Sequence, residues 1–252
     1  MAGILRSILE AIGHTPLVEL QRLTGPEDAR VLVKVEGLNV GGSIKTRTAL
    51  NMIEVAEAQG LIGPGSVIIE PTSGNQGIGL ALVCCLKRYR CIIVMPDSVS
   101  IERLSLMKLY GAEIEIIPDH DNIGECMERC MARALALRDS ISGGYVPQQF
   151  ENPSNPAVHR DKTAVEILEQ LGEVHVDAFC SGFGTGGTLS GIGGTLRGRF
   201  PAMQVVVVEP ENAAILAGGA IGSHLQMGIG DGIIPANLNT GLINEMMIVS
   251  DD

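Results

Sequence analysis

The stretch Val176-Asp177-Ala178-Phe179-Cys180-Ser181-Gly182-Phe183-Gly184-Thr185-Gly186-Gly187-Thr188 reads as a buried strand that empties through a glycine-rich turn into a helix. The helix is predicted over 188–199, and the apolar run Val205–Val208 follows as a strand covered on both sides. Strand, turn, helix, strand is the repeating unit of a parallel sheet. Four glycines and two threonines before a helix let backbone amides close on a phosphate. Gly182, Gly184 and Gly187 also satisfy the dinucleotide pattern GxGxxG, and Glu209 ends the next strand where a ribose carboxylate would stand. On these residues alone a nicotinamide-dependent oxidoreductase stays open.

The same alternation extends outward. Val31–Val35, Val67–Glu70, Cys91–Met95 and Glu113–Ile117 read as further buried strands. Helices are predicted over 46–59, 76–86, 101–110, 123–137 and 157–171. The expectation is an α/β protein of two lobes, with parallel sheets and helices on both faces. Gly143–Pro156, rich in Gly, Pro, Asn and Gln, is the expected crossing between lobes. The apolar Met246–Val249 run reads as one more strand, so the chain is read as a truncated view of a longer protein.

Composition narrows the function. The 252 residues are 45% hydrophobic and 19% charged, with mean hydropathy +0.26, enough to build a core. A net charge of -11 repels a phosphate backbone, and seven Phe and Tyr residues without Trp make poor stacking platforms for bases. Nucleic-acid binding is therefore excluded. The charge-free stretches 178–196 and 212–230 are broken by glycines and do not read as membrane spans. No signal peptide is read at the N-terminus. The six cysteines show no zinc spacing and read as buried thiols of a reducing cytoplasm, with no metal site.

Two other turns carry chemistry. Asn39-Val40-Gly41-Gly42-Ser43-Ile44-Lys45-Thr46-Arg47 leads into a helix, with Ser43 as N-cap and Lys45 in the first turn. An amine beside the positive end of a helix has its ammonium form disfavoured, which prepares it for Schiff-base chemistry; an exposed surface lysine is the plainer reading. Glu70-Pro71-Thr72-Ser73-Gly74-Asn75-Gln76-Gly77 sets hydroxyls, an amide and free N–H groups at a helix start, a cradle for a carboxylate or simply a capped helix.

Taken together and in order, the three turns resemble the cysteine synthase (O-acetylserine sulfhydrylase) and cystathionine β-synthase family of fold type II pyridoxal-phosphate enzymes, which are tryptophan synthase β-like. The resemblance extends to His14–Val18, Met95–Asp97, Gln149–Pro153, Val208–Pro210 and Gly228–Pro235, across essentially the whole chain. It implies pyridoxal 5'-phosphate as cofactor, carried by Lys45, which then serves as the base for the substrate α-proton. It implies Asn75 at the cofactor ring hydroxyl and Gly184, Thr185, Gly186, Gly187 and Thr188 around its phosphate. Thr72, Ser73, Gly74, Gln76, Gln149 and Gly228 are the implied substrate contacts. The implied lobes are a larger cofactor domain (1–40 plus 150–252) and a smaller mobile substrate domain (41–149), in a cytoplasmic homodimer.

The implied reaction is β-replacement through an α-aminoacrylate, O-acetyl-L-serine and sulfide giving L-cysteine and acetate. Four positions depart from the family pattern: Val40, Thr46, Gln76 and Asp231. Asp231 stands where a small residue is usual and puts a carboxylate near Cβ. A carboxylate repels hydrosulfide but can act as general base for water or an amine. The alternatives are therefore a sulfide-releasing L-cysteine lyase (L-cysteine and water giving L-serine) and a cystathionine β-synthase-like activity. A cofactor-free binding protein is the non-enzymatic rival.

Overall fold

The computed structural model describes residues 3–72, 74–119 and 123–252. Near the N-terminus β1 (Leu17–Glu19) and β2 (Leu32–Lys34) form an antiparallel pair. Next come α1 (Lys45–Ala58), β3 (Val67–Pro71), α2 (Asn75–Lys87), β4 (Arg90–Pro96), α3 (Ile101–Leu109), β5 (Glu113–Ile117), α4 (Ile123–Ser140) and the short β6 (Gly144–Tyr145). These four strands make one parallel sheet in the order β5-β4-β3-β6. The chain continues through α5 (Ser154–Val158), a π-helical turn (His159–Thr163) and α6 (Ala164–Leu171). A second parallel sheet, β7-β8-β9, follows from β7 (Ala178–Gly182), α7 (Gly187–Arg199), β8 (Gln204–Pro210) and β9 (Glu245–Val249).

The first sheet is apolar on both faces because β3 and the interior of β4 are buried at every position. One face packs Ile68, Ile93 and Met95 against Leu80 and Val83 of α2 and Ile53 of α1. The other packs Ile69, Ile92 and Val94 against Cys126, Cys130 and Ala134 of α4. The second core gathers Val205 and Val207 of β8, Leu189, Ile192 and Leu196 of α7, and Ile167 of α6, with Leu17 and Leu32 against it. The architecture is thus α/β, with parallel sheets and helices.

Several details differ from the sequence reading. The strands β5 and β7, expected to be buried, hold no fully buried residue. Residues 31–35 were expected to form a buried parallel strand, yet only Leu32–Lys34 is strand, and it pairs antiparallel with β1. Its alternation explains this: Leu32 reaches the core, while Val31 and Val33 point outward and are exposed. The expected helix over 157–171 is three pieces, with a π-helical turn between α5 and α6 in which His159 Nδ1 meets Thr163 Oγ1 at 3.1 Å. Among the cysteines, Cys84, Cys91, Cys126 and Cys130 are buried, but Cys85 and Cys180 are exposed. Cys180 lies on β7, which the sheet covers along one edge only. No helix among the described residues is long and apolar enough to cross a membrane.

Candidate active site

Parallel strands all point their carboxyl ends one way, so the turns that follow them gather at one edge. The turn after β7 and the turn before α1 meet there around a cavity of about 240 Å³, whose walls include Glu36, Lys45, Phe183, Thr185, Thr188 and Gly228. The volume suits a small ligand.

Lys45 is the first residue of α1. The N-cap position falls on Ile44, one residue beyond the expected Ser43, although Ser43 Oγ still accepts the Lys45 N–H at 3.3 Å. The Lys45 amine donates to Thr185 Oγ1 at 3.1 Å. Burial lowers its pKa, and the nearby charge of Asp231 only partly opposes this. An exposed surface lysine is therefore excluded; this is a desolvated amine facing a cavity.

The turn across from it admits only glycine at several positions. Gly186 has φ +75°, and a side chain there would come within 2.7 Å of Leu238. A Cβ on Gly187 would lie 2.1 Å from Asn155 Oδ1, and one on Gly184 would lie 2.6 Å from Asp231 Oδ2. The helix α7 opens at Gly187 with no side-chain cap, leaving its first N–H groups for an anion. Thr185 Oγ1 receives two donors, Lys45 Nζ and Asn155 Nδ2 (2.9 Å), so its own O–H remains to donate. Thr188 Oγ1 lies 3.5 Å from His159 Nε2. Burial, with Lys45 and Arg47 nearby, pulls the His159 pKa down to about 3, which keeps the ring neutral.

The second turn stands at the end of β3. Thr72 is buried, its N–H bonds Val94 O at 3.0 Å, and its hydroxyl accepts the Gly74 N–H at 3.2 Å. Ser73 lies outside the described residues. Asn75 opens α2 and is half-buried. Gln76 is buried between helices, where Oε1 accepts from Thr48 Oγ1 at 2.8 Å and Nε2 finds no partner. Gln149 is buried on the loop after β6, and its carbonyl accepts from Asn155 Nδ2 at 2.8 Å and Asn237 Nδ2 at 2.9 Å. Asp231 sits at the cleft mouth; the walls around it push its carboxyl pKa up against the pull of Lys45 and His224.

The cavity itself thus joins Lys45, Gly184, Thr185, Gly186, Thr188 and Gly228. Gln149 reaches it through Asn155. Sequence reading missed Asn155, His159, Glu36 and Asn237. Asn155 lies in the crossing segment 143–156 with nothing local to mark it as a site residue, and His159 carries no turn signal; they matter because α5 and the π-helical turn pack against α7.

A desolvated amine opposite a glycine turn with spare donors fits an aldehyde-bearing phosphate ester: the amine can hold the carbonyl carbon, and the turn its anion. Comparison with known proteins points the same way. Residues 8–252 match the family described as pyridoxal-phosphate dependent enzyme. The cysteine synthase of Staphylococcus aureus is 45% identical over 246 residues, 98% of this chain and 78% of that protein. A probable cysteine synthase of Bacillus subtilis is 42% identical over 254 residues, covering 100% of this chain and 80% of its own length. The crystal structure of a hydrogen sulfide-producing enzyme from Fusobacterium nucleatum superposes with TM-score 0.92 at 39% identity, over 100% of this chain and 81% of that one. A scaffold protein and a nicotinamide enzyme are both overturned: the chain belongs to the pyridoxal-phosphate dependent enzymes, on their cysteine synthase branch.

Proposed function

We propose that this enzyme catalyses β-replacement on a β-substituted L-amino acid, O-acetyl-L-serine and sulfide giving L-cysteine and acetate. The observation that carries the reading is the Lys45 amine, desolvated and held by Thr185 across from the glycine turn. When bound, pyridoxal phosphate supplies the electron sink that makes the substrate Cα–H acidic. Lys45 would hold the cofactor and its amine would take that proton; burial lowers its pKa and so favours the neutral form that a base needs. Gly184, Gly186 and Gly187 with the hydroxyls of Thr185 and Thr188 would hold the phosphate, and Asn75 would hold the ring hydroxyl. Thr72, Ser73, Gly74, Gln76, Gln149 and Gly228 receive the amino acid. The two cysteine synthases named above support L-cysteine as the product.

The two cores support a division into a smaller substrate domain over 41–149 and a larger one of 1–40 plus 150–252. Leu17 and Leu32 pack with the second core, although they precede the first sheet in the chain. A homodimer is supported by the exposed apolar side chains of the N-terminal segment, including Leu5, Ile8, Val18, Leu23 and Leu38. Buried free thiols support a cytoplasmic setting.

A second reading is favoured by Asp231, whose Oδ2 sits over Gly184 and whose charge Lys45 feels. A carboxylate with a raised pKa, placed there, can take a proton from water or an amine, which suits sulfide release from L-cysteine or a cystathionine β-synthase-like step.

Absorption spectroscopy of the purified enzyme separates these readings. A visible band that shifts with O-acetyl-L-serine and returns with sulfide supports cysteine synthesis. Release of sulfide and L-serine from L-cysteine, lost in D231A, supports the second reading. A D231A variant with unchanged nucleophile preference ends it. No visible band after adding pyridoxal phosphate overturns both.

A further inference from the structure

Glu70 is fully buried on β3, and among the described residues no cation pairs with it. Its two carboxylate oxygens are used separately: Oε2 accepts the Gln148 N–H and Oε1 the Gln149 N–H, each at 3.0 Å. Gln148 has φ +58°, an unfavourable region for a residue with a side chain, so something must hold the turn there. Glu70 is also two residues from Thr72 along the chain. It therefore joins both halves of the cradle, Thr72 through the backbone and Gln149 through a charge-assisted amide bond.

The connection continues past the cradle. Gln149 O accepts from Asn155 Nδ2, which also donates to Thr185 Oγ1, the acceptor of the Lys45 amine. One run of hydrogen bonds leads from Glu70 to the reactive amine. A buried carboxylate without a cation is costly to keep, and a glutamine or an aliphatic residue would fill the space at lower cost. A glutamine offers one acceptor oxygen where the two amides here use two, and an aliphatic residue offers none.

We propose that Glu70 is a positioning residue for recognition of the substrate α-carboxylate, setting the turn that carries Gln149 against the Thr72 loop. The inference rests on the reading that Thr72 and Gln149 bind that carboxylate. Burial pushes the Glu70 pKa up to about 7, with the two amides pulling the other way. The titratable groups facing it are Cys91 on β4 and Tyr145 on β6, both held above their ordinary values with Glu70 as one cause. Both are shifted away from neutrality, and the comparison with E70Q assigns a transition there to Glu70. Protonated, it becomes a donor on one oxygen and releases one amide. The turn loosens, and carboxylate recognition weakens as pH falls.

The test uses the cofactor-loaded enzyme and compares binding of L-serine with L-serine methyl ester by calorimetry at pH 8. Wild type should prefer the free acid, and E70Q should lose at least tenfold of that preference while keeping the visible spectrum. In wild type, L-serine binding should weaken by an extra step with a midpoint near pH 7, on top of the steady loss that follows from protonation of its amine; E70Q should show the steady loss alone. An unchanged acid-over-ester preference in E70Q overturns the role of Glu70 while leaving the cradle reading intact. Equal binding of acid and ester by wild type instead overturns the cradle reading, and the role of Glu70 with it. Should E70Q not fold, the wild-type pH series decides: a series from pH 6 to 8 with no step beyond the steady loss from amine protonation overturns the proposal.

Discussion

At the scale of single residues, the site depends on close approach. All three nearest atoms to a Cβ on Gly187 belong to the Asn155 side chain, the closest at 2.1 Å. Asn155 is itself fully buried, with Oδ1 unpartnered and Nδ2 shared between Gln149 O and Thr185 Oγ1. Gly187→Ala should therefore destabilise by about 1–3 kcal/mol through overpacking. Asn155→Ala should cost a similar amount, about 1–3 kcal/mol, through the lost donor. The two changes compensate, because the alanine at 155 vacates the volume that the alanine at 187 needs. Urea unfolding of both single variants and the double should give a double variant more stable than the sum, by about 1 kcal/mol or more. Strict additivity would mean that residue 187 is constrained by something other than Asn155.

At the scale of elements, a buried ion-pair network ties α1 to its surroundings. Arg47, whose side chain is 2% exposed, pairs with Glu36 at 2.8 Å and with Glu166 of α6 at 2.6 Å. Lys34 of β2 meets Glu166 at 2.8 Å and also donates to Thr15 O. Burial alone would lower the Arg47 pKa, but the two carboxylates raise it instead. Arg47→Ala leaves Glu36 without a cation and Glu166 with Lys34 alone, and should cost about 3–5 kcal/mol in thermal or urea unfolding. Replacing Arg47 by Met and Glu36 by Gln together should cost much less, since Glu166 keeps Lys34 and no charge is then stranded. Equal losses in the two variants would show that packing of the arginine stem matters more than its charge. This network also marks where sequence reading stops. Lys45 was legible because its signal is local: glycines, a serine and a helix start lie within a few residues. The helices α1, α2, α3 and α7 were legible within a residue or two at each end for the same reason. The partners of Arg47 lie 11 and 119 positions away, and a charge in the sequence does not name its partner. The π-helical turn was likewise illegible, because an inserted residue in a helix leaves the apolar pattern nearly intact. The exposure of Cys180 follows from its alternation with Phe179, which packs on the second core and turns Cys180 to the opposite face; the segment does not say whether that face is covered.

At the scale of the whole molecule, the buried titrating groups set how stability depends on pH, and they do not all act with the same sign. Glu70 is raised from 4.5 to about 7, so the folded chain binds its proton more readily than the unfolded chain, and stability is gained as pH falls from about 7 to 4.5. His159 is lowered from 6.5 to about 3, so its contribution is lost as pH falls through the same range and on toward 3. Glu166 works similarly lower down. Burial opposes its ionisation, but hydrogen bonds from Arg47 and Lys34 bring it from 4.5 to about 2, so its contribution is lost over that interval. Each shift corresponds to a few kcal/mol at most, at about 1.4 kcal/mol per pK unit. The raised Asp231 adds to the Glu70 side of the balance. Opposing slopes between pH 7 and 4.5 predict a near-level stability there, followed by a steep acid limb below about 4.5 where His159 and Glu166 act together. Urea midpoints measured from pH 8 to 4 check this directly. In E70Q the compensating gain is gone, so stability should begin to fall near pH 6.5 rather than near 4.5, and replacing His159 by Gln should make stability rise as pH falls toward 5. The sign matters for function as well. On lowering the pH, the protonation of Glu70 strengthens the fold while it loosens the substrate turn. Loss of L-serine binding near neutral pH should therefore come with no loss of unfolding free energy. If binding and stability fall together through the same midpoint, acid unfolding accounts for the weakened binding and Glu70 does not.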